Sequence, residues 1–249
     1  MGYQFYVTIL LVPLLFFLAP INHADTDKHR VFIKARCAEW RPFVYEEKGQ
    51  LVGPAYEIAL QVLKHSQHPF DYQLQPWARV YNDALNQPNF LVACIGRTPK
   101  REKLFHWIGP ISKGVDIHFF KLSQNSLKIS GLSQAKDYKV GAMRGTYNYD
   151  FLSVNGFEDE NIHQSNTSKQ LLNMLINKRY ELVISDEKQL KSEAKKLNVN
   201  PDLFEKALFA FTVTDNIAFS LNTSGEVIKT FRDSYLELEY KGRFKGLLH

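Results

Sequence analysis

Two cysteines, three methionines and three tryptophans are all that 249 residues contain of those types. The eight histidines are scattered, and no His or Cys pair stands at structural-zinc spacing. A zinc module is thereby excluded, and neither a metal nor a cofactor is expected. There is no Gly-x-Ser-x-Gly nucleophile elbow and no Gly-rich loop of the kind that cradles phosphate. The net charge is +5, but the Lys and Arg residues are dispersed without a basic stripe, so no nucleic-acid partner is expected. No apolar run reaches the roughly 20 residues a membrane-spanning helix needs.

What is present is an ordinary globular composition, 45% hydrophobic and 23% charged, long enough for one large or two small domains. Residues 7–21 form an apolar run broken by Pro13, followed by Asn22-His23-Ala24 and a polar segment to Arg30. This reads as a secretory signal peptide over 1–24, cut after Ala24. Its n-region holds no Lys or Arg and Asn22 is a poor residue three before the cut, so an uncleaved anchor is the alternative. In an exported chain, Cys37 and Cys94 are either a disulfide or two buried thiols in neighbouring strands.

Behind the leader, Val31–Cys37 reads as a strand, 39–45 as a loop holding Pro42, and 46–50 as a turn. Gly53-Pro54 opens a helix, with Ala55, Ile58, Ala59, Val62 and Leu63 on one face. Phe70–Gln75 alternates as a strand does, a short helix runs from Val80 to Asn86, and the apolar run Phe90–Ile95 is a buried strand. Strand alternating with helix implies a mostly parallel sheet with helices on its faces. Val115–Leu122 is a further strand candidate. The pattern then restarts: strand 138–143, a loop at 144–147, a helix through Phe151 and Leu152, a capping box at Thr167–Gln170 ahead of a second helix, strand 180–184, and a charged helix from Lys188 to Leu197. Strand-like runs at 207–213 and 216–221 precede a terminal helix after Ser224.

The expected organisation is two α/β lobes, 30–117 with 218–249 and 118–217, joined by strand-like crossings near Asp116–Phe120 and Asn216–Ser220. Two lobes joined by two crossings leave a cleft, a preferred place for a small ligand, and hinge closure goes with that layout. Arg97 follows the Phe90–Ile95 strand. In open α/β sheets ligands bind beyond the carboxyl ends of strands, and a guanidinium matches a carboxylate bidentately. Arg97 is therefore the candidate anion clamp, its alternative being a surface pair with Glu102.

Several motifs occur together: Trp40-Arg-Pro-Phe43, Gly53–Glu57, Arg97-Thr-Pro-Lys-Arg-Glu102, Phe105-His-Trp-Ile-Gly-Pro110, Gly145-Thr146, Met174-Leu175 with Arg179-Tyr-Glu181 ahead of Asp186, and Tyr240-Lys-Gly-Arg-Phe244. In order and spacing, from about Val31 to Leu248, the chain resembles the family 3 extracellular solute-binding proteins, periplasmic receptors of polar amino-acid ABC transporters. The resemblance implies a two-lobed periplasmic binding protein type II fold, a periplasmic monomer, and capture of a small anionic or zwitterionic ligand, an amino acid, for an ABC permease. It also implies that Trp40 covers the ligand, Arg97 and the Thr98 N–H hold its carboxylate with Thr146 near by, and Asp186 accepts its ammonium. Tyr45, Trp77 and Arg79 are further candidates at the mouth. Arg41 and Arg79 add positive charge there, which favours a more anionic ligand. Asp186 is also an N-cap candidate, with Gln189 three residues on.

Two other classes fit the same chain. One is a ligand-sensing module for a receptor or sensor kinase in the membrane. The other is an enzyme resembling the cyclohexadienyl dehydratases, which needs a general acid, with Glu39 or Glu57 as candidates; the non-enzyme reading is preferred.

Overall fold

The computed structural model describes residues 1–3 and 30–248. The expected leader and its cut after Ala24 fall almost wholly on 4–29, outside the described residues. Among the described residues no helix is long and apolar enough to cross a membrane.

The first half runs β1 (Ile33–Cys37), β2 (Tyr45–Glu47), β3 (Gln50–Val52), α1 (Pro54–His65), β4 (Phe70–Leu74), α2 (Trp77–Asn86), β5 (Phe90–Arg97) and β6 (Phe105–Pro110). The 46–50 turn is wider than expected. It is the hairpin β2–β3, closed by Lys48 and Gly49 with φ of 51° and 78°, backbone that suits a two-residue hairpin turn. Helix α2 starts at Trp77, three residues earlier than its apolar spacing indicates, because Pro76 leads directly into it.

The second half runs β7 (Val115–Leu122), α3 (Leu132–Ala135), β8 (Val140–Met143), α4 (Tyr147–Val154), β9 (Ile162–Ser165), α5 (Ser168–Ile176), β10 (Leu182–Asp186), α6 (Glu187–Lys196), β11 (Phe204–Ser220) and α7 (Gly225–Tyr240). Thr167 caps α5 as its spacing indicates, accepting from the Gln170 N–H at 3.1 Å. The Gln170 side chain reaches one residue further back, accepting from the Asn166 N–H at 3.1 Å.

The strands join in the order β4-β1-β5-β11-β7-β10-β8-β9, with β6 also on β11. β11 is the spine. The two strand-like runs at its ends are one 17-residue strand. Its residues 204–213 pair with β7, and from Thr214 onward it pairs with β5 and β6. β1, β4 and β5 are parallel, as are β10, β8 and β9, while β11 is antiparallel to its neighbours. Helices lie on both sides of this sheet, which leaves β5 buried along its length up to Arg97, as expected of a parallel strand covered on both faces.

Along β5, Leu91 and Ala93 face the cluster made with α1 and α7, whereas Phe90 and Val92 face the one made with α2. The alternation then slips. Asn216 opposes Ile95 and Ala218 opposes Val92, so Ala93 and Cys94 together stand against Ile217. This is a β-bulge, which re-aims every side chain beyond it. Cys94 consequently joins Ala93 on the α1 side, and Ile95 moves to the α2 side. Cys37, at the end of β1, forms a disulfide with Cys94 across a Cα–Cα distance of 5.5 Å.

Candidate functional site

A cavity of about 70 Å³ lies between residues of β1, α2 and β5 on one side and β8, α4 and β10 on the other. At about 10–15 Å³ per water-sized occupant, it holds on the order of five to seven heavy atoms. A wider vestibule of about 410 Å³ adjoins it, sharing Glu39, Trp77, Met143 and Gln189 in its wall.

Trp40 enters from the loop after β1. That loop is fixed to the start of α1, where the Ala55 N–H donates to the Phe43 carbonyl at 2.9 Å. Gly53 permits this approach: its φ is 115°, and a Cβ there would lie 2.4 Å from that carbonyl oxygen. Trp77, the first residue of α2, forms a second wall and donates its indole N–H to the Gly145 carbonyl at 2.7 Å. Tyr147, the first residue of α4, forms a third. Its ring lies on Gly96, where a Cβ would meet Tyr147 Cδ1 at 2.4 Å.

Of the expected site residues, the structure brings Trp40, Trp77 and Thr146 to this cavity. The Thr146 hydroxyl is already engaged, donating to the Met143 carbonyl at 2.8 Å and capping α4 by accepting from the Tyr149 N–H. Asp186, 3% exposed, stands behind Trp40, and its neighbours Ser185 and Gln189 line the cavity. Its Oδ1 caps α6 by accepting from the Gln189 N–H at 2.7 Å, and its Oδ2 accepts from the Trp40 indole at 3.4 Å. Burial pushes this carboxyl up to about 6 against the pull of those hydrogen bonds.

Arg97 does not reach the cavity, a correction to its expected position. Its side chain is 46% exposed and holds Glu102 through two bonds of 2.8 and 2.6 Å, with the guanidinium 5.2 Å over Trp107. The bulge at Ala93–Cys94 is the reason: it turns Cys94 and Gly96 toward the cavity and Arg97 away. Thr98 follows outside; its carbonyl accepts from the Arg101 N–H, and its buried hydroxyl has no partner among the described residues. Tyr45 sits in the β2–β3 hairpin under the Arg41 guanidinium at 4.1 Å, and Arg79 is exposed beside Asp83 at 3.8 Å. Neither lines the cavity. Arg41 is held by Glu39 at 2.8 Å and by the Glu46 carbonyl at 2.9 Å, so the positive charge expected at the mouth is compensated by neighbouring acids.

Three residues that sequence reasoning passed over are central here. Arg101 is 0% exposed and its guanidinium lies among the rings of Trp77, Tyr81 and Tyr147 at 5.0–5.9 Å. It donates to the Gly96 and Gly145 carbonyls at 3.4 and 3.1 Å and reaches Asp150 at 3.5 Å. Asp215, 3% exposed, lines the cavity from β11, opposite Gly96. Its Oδ2 finds no hydrogen-bond partner among the described residues. Burial first, then the charge of Asp186, push this carboxyl up to about 8, with Arg101 opposing. Asn148, on α4, donates its amide to the Ile184 carbonyl at 3.2 Å, which turns its Oδ1 the other way, buried and unpartnered. The only sequence signal available for Arg101 was its place in the Arg97–Glu102 motif. For Asp215 and Asn148 there was none.

Direct contacts cross the cleft around the cavity. Glu39 meets Lys196 at 2.8 Å, Lys100 meets Asp150 at 2.6 Å, and the Trp40–Asp186 and Trp77–Gly145 bonds join the same two sides. Glu39 is held below its ordinary range by Lys196 and Arg41, against the effect of its burial.

No family model matches the chain, and no curated protein matches it. Many solved structures do. A histidine kinase sensor domain with similarity to periplasmic binding proteins superposes with a TM-score of 0.77 at 13% identity, covering 88% of this chain and 94% of that one. The arginine-, lysine-, histidine-binding protein ArtJ from Geobacillus stearothermophilus matches with a TM-score of 0.73 at 15% identity, covering 88% and 93%. A mutant of the arginine-binding protein ArgBP from T. maritima gives 0.73 at 14%, covering 87% and 93%. The fold is therefore the two-lobed periplasmic binding protein-like α/β fold.

Proposed function

We propose that this protein is an exported solute-binding protein of the family 3 type, which captures a small zwitterionic ligand, an amino acid, in the cleft between its lobes. The observation that carries the reading is the small, aromatic-walled cavity at Trp40, Trp77 and Tyr147, with buried charges of both signs at its edge. Such a pocket excludes water and orients a ligand through few polar groups. Arg101 replaces Arg97 as the positive group: it is buried, and it touches the backbone of Gly96 beside the cavity. Asp186 supplies the facing negative charge from the second lobe.

The lobes are taken as 30–117 with 218–249 and 118–217. The change of strand partner between Val213 and Thr214 supports a crossing there, slightly ahead of Asn216–Ser220. The contacts across the cleft form only when the lobes meet, and a ligand stabilises that arrangement insofar as it binds it better than the open one. The protein acts in the periplasm as a monomer, without enzymatic chemistry, and hands its ligand to an ABC permease. The neighbours named as binding proteins support this reading. The sensor-domain neighbour, with the highest TM-score quoted, supports a second one, in which the closed form signals to a membrane sensor instead.

A thermal-shift screen of the twenty amino acids and small carboxylates tests the capture of a ligand. A true ligand at 100 times its Kd adds about 2.7 kcal/mol of stability and raises the melting temperature. If no compound in the set shifts it, the amino-acid reading is wrong.

A further inference from the structure

The polar atoms that face the cavity are unequal in kind. Asp215 Oδ2 and Asn148 Oδ1 are both acceptors, both buried, and both without a partner among the described residues. A buried acceptor left unpaired costs roughly 1–3 kcal/mol, more when it is charged. Two in one small cavity therefore call for a donor-rich ligand group. Arg101 does not answer that need: its terminal nitrogens are turned to the Gly96 and Gly145 carbonyls and to Asp150. Lys100 is likewise taken up by Asp150 at 2.6 Å.

Charge balance points the same way. Asp186, Asp215 and Asp150 stand against Arg101 and Lys100, which leaves one negative charge in excess around the cleft. The walls are aromatic, and an ammonium or guanidinium gains by lying against such faces. Among the described residues no group of three or more His, Cys, Asp or Glu side chains is arranged to hold a metal ion, so the complement is an organic cation.

We propose that Asp215 and Asn148 form a cation subsite in the inner cavity that takes a protonated amine or guanidinium of the ligand, so that the captured solute carries a net positive charge. The inference rests on the solute-binding reading above and adds the substrate class to it: a basic amino acid or a small diamine, not a neutral or acidic one. With room for on the order of five to seven heavy atoms inside, the cationic end sits in the cavity and the remainder extends into the vestibule past Glu39 and Gln189.

Titration calorimetry on the full chain tests it, with L-lysine, L-ornithine, L-arginine and putrescine against L-alanine, L-glutamine and L-glutamate. At least one cationic compound is expected to bind tenfold or more tightly than every neutral or acidic one, and Asp215→Asn to cut that ratio by at least tenfold. Asn148→Leu is a second variant, expected to reduce the ratio in the same direction, and serves if Asp215→Asn does not fold. If a neutral or acidic amino acid binds as tightly as the cationic set, or if both variants keep the preference, the cation subsite is overturned while the solute-binding reading stands. If nothing in the panel binds, both fall together.

Discussion

Asp215→Asn is expected to raise the melting temperature of the ligand-free protein, and to raise it more at pH 8 than at pH 6. Burial and the Asp186 charge push the Asp215 carboxyl from 3.8 to about 8 in the folded chain. Below about pH 4 both folded and unfolded chains carry the proton, and the site costs nothing. Above that the unfolded chain releases it and the folded chain keeps it. Stability then falls by about 1.4 kcal/mol per pH unit until the folded carboxyl itself ionises near pH 8. Asp186, pushed up to about 6, adds its own slope between about pH 4 and 6, so the window from pH 6 to 8 isolates Asp215. Two units there amount to about 3 kcal/mol, or roughly 6–12 °C for a chain of this size. The assay is calorimetric melting of both proteins across that window in buffers of equal ionic strength. The asparagine variant should show the shallower fall, and histidines cancel in the difference. Parallel profiles would mean that Asp215 is not the buried, poorly compensated acid described here.

Other expectations concern neighbouring residues. Arg97→Ala should leave ligand affinity and melting temperature unchanged in titration and melting experiments, whereas Arg101→Ala should lose both, because removing a buried, hydrogen-bonded cation typically costs about 3–5 kcal/mol. Gly96→Ala should weaken ligand binding, since the new methyl group meets Tyr147 Cδ1 at 2.4 Å and drives that ring into the cavity; undiminished affinity would contradict the placement of Tyr147. Opening the Cys37–Cys94 bridge, with 57 residues between its ends, should cost about 4 kcal/mol by loop entropy, seen as a lower denaturant midpoint for the double Cys→Ala variant.

Much of the scaffold was legible in the sequence because it rests on periodicity. The α1 face from Ala55 to Leu63 and the β7 bounds were read as the structure has them. So was the Thr167 cap, which follows from side-chain chemistry. The site was less legible, for a reason that sits in one residue. Alternation alone does not say that Ala93 and Cys94 share one partner. Without that bulge, Arg97 is placed on the cavity side; with it, Gly96 faces the cavity and Arg97 packs over Trp107. Asp215 was hidden by its position between two apolar runs that read as separate strands, although β11 passes through it unbroken. Asn148 depends on which way a helix face turns once Thr146 caps it, and pairwise spacing does not carry that. Asp186 illustrates the opposite case: both roles weighed for it, helix cap and cleft acid, are compatible with its position, because one oxygen caps α6 and the other meets Trp40 across the cleft.

The central claim is that a small ligand occupies the cavity at Trp40 and Trp77. Two of the three tryptophans line it, so intrinsic fluorescence reports its occupation directly. Titrating the protein with each of the twenty amino acids should give a saturable change for at least one, carried by those two indoles and lost in the Trp40→Phe, Trp77→Phe double variant. A flat response to every amino acid, or a response that survives in the double variant, would contradict the account.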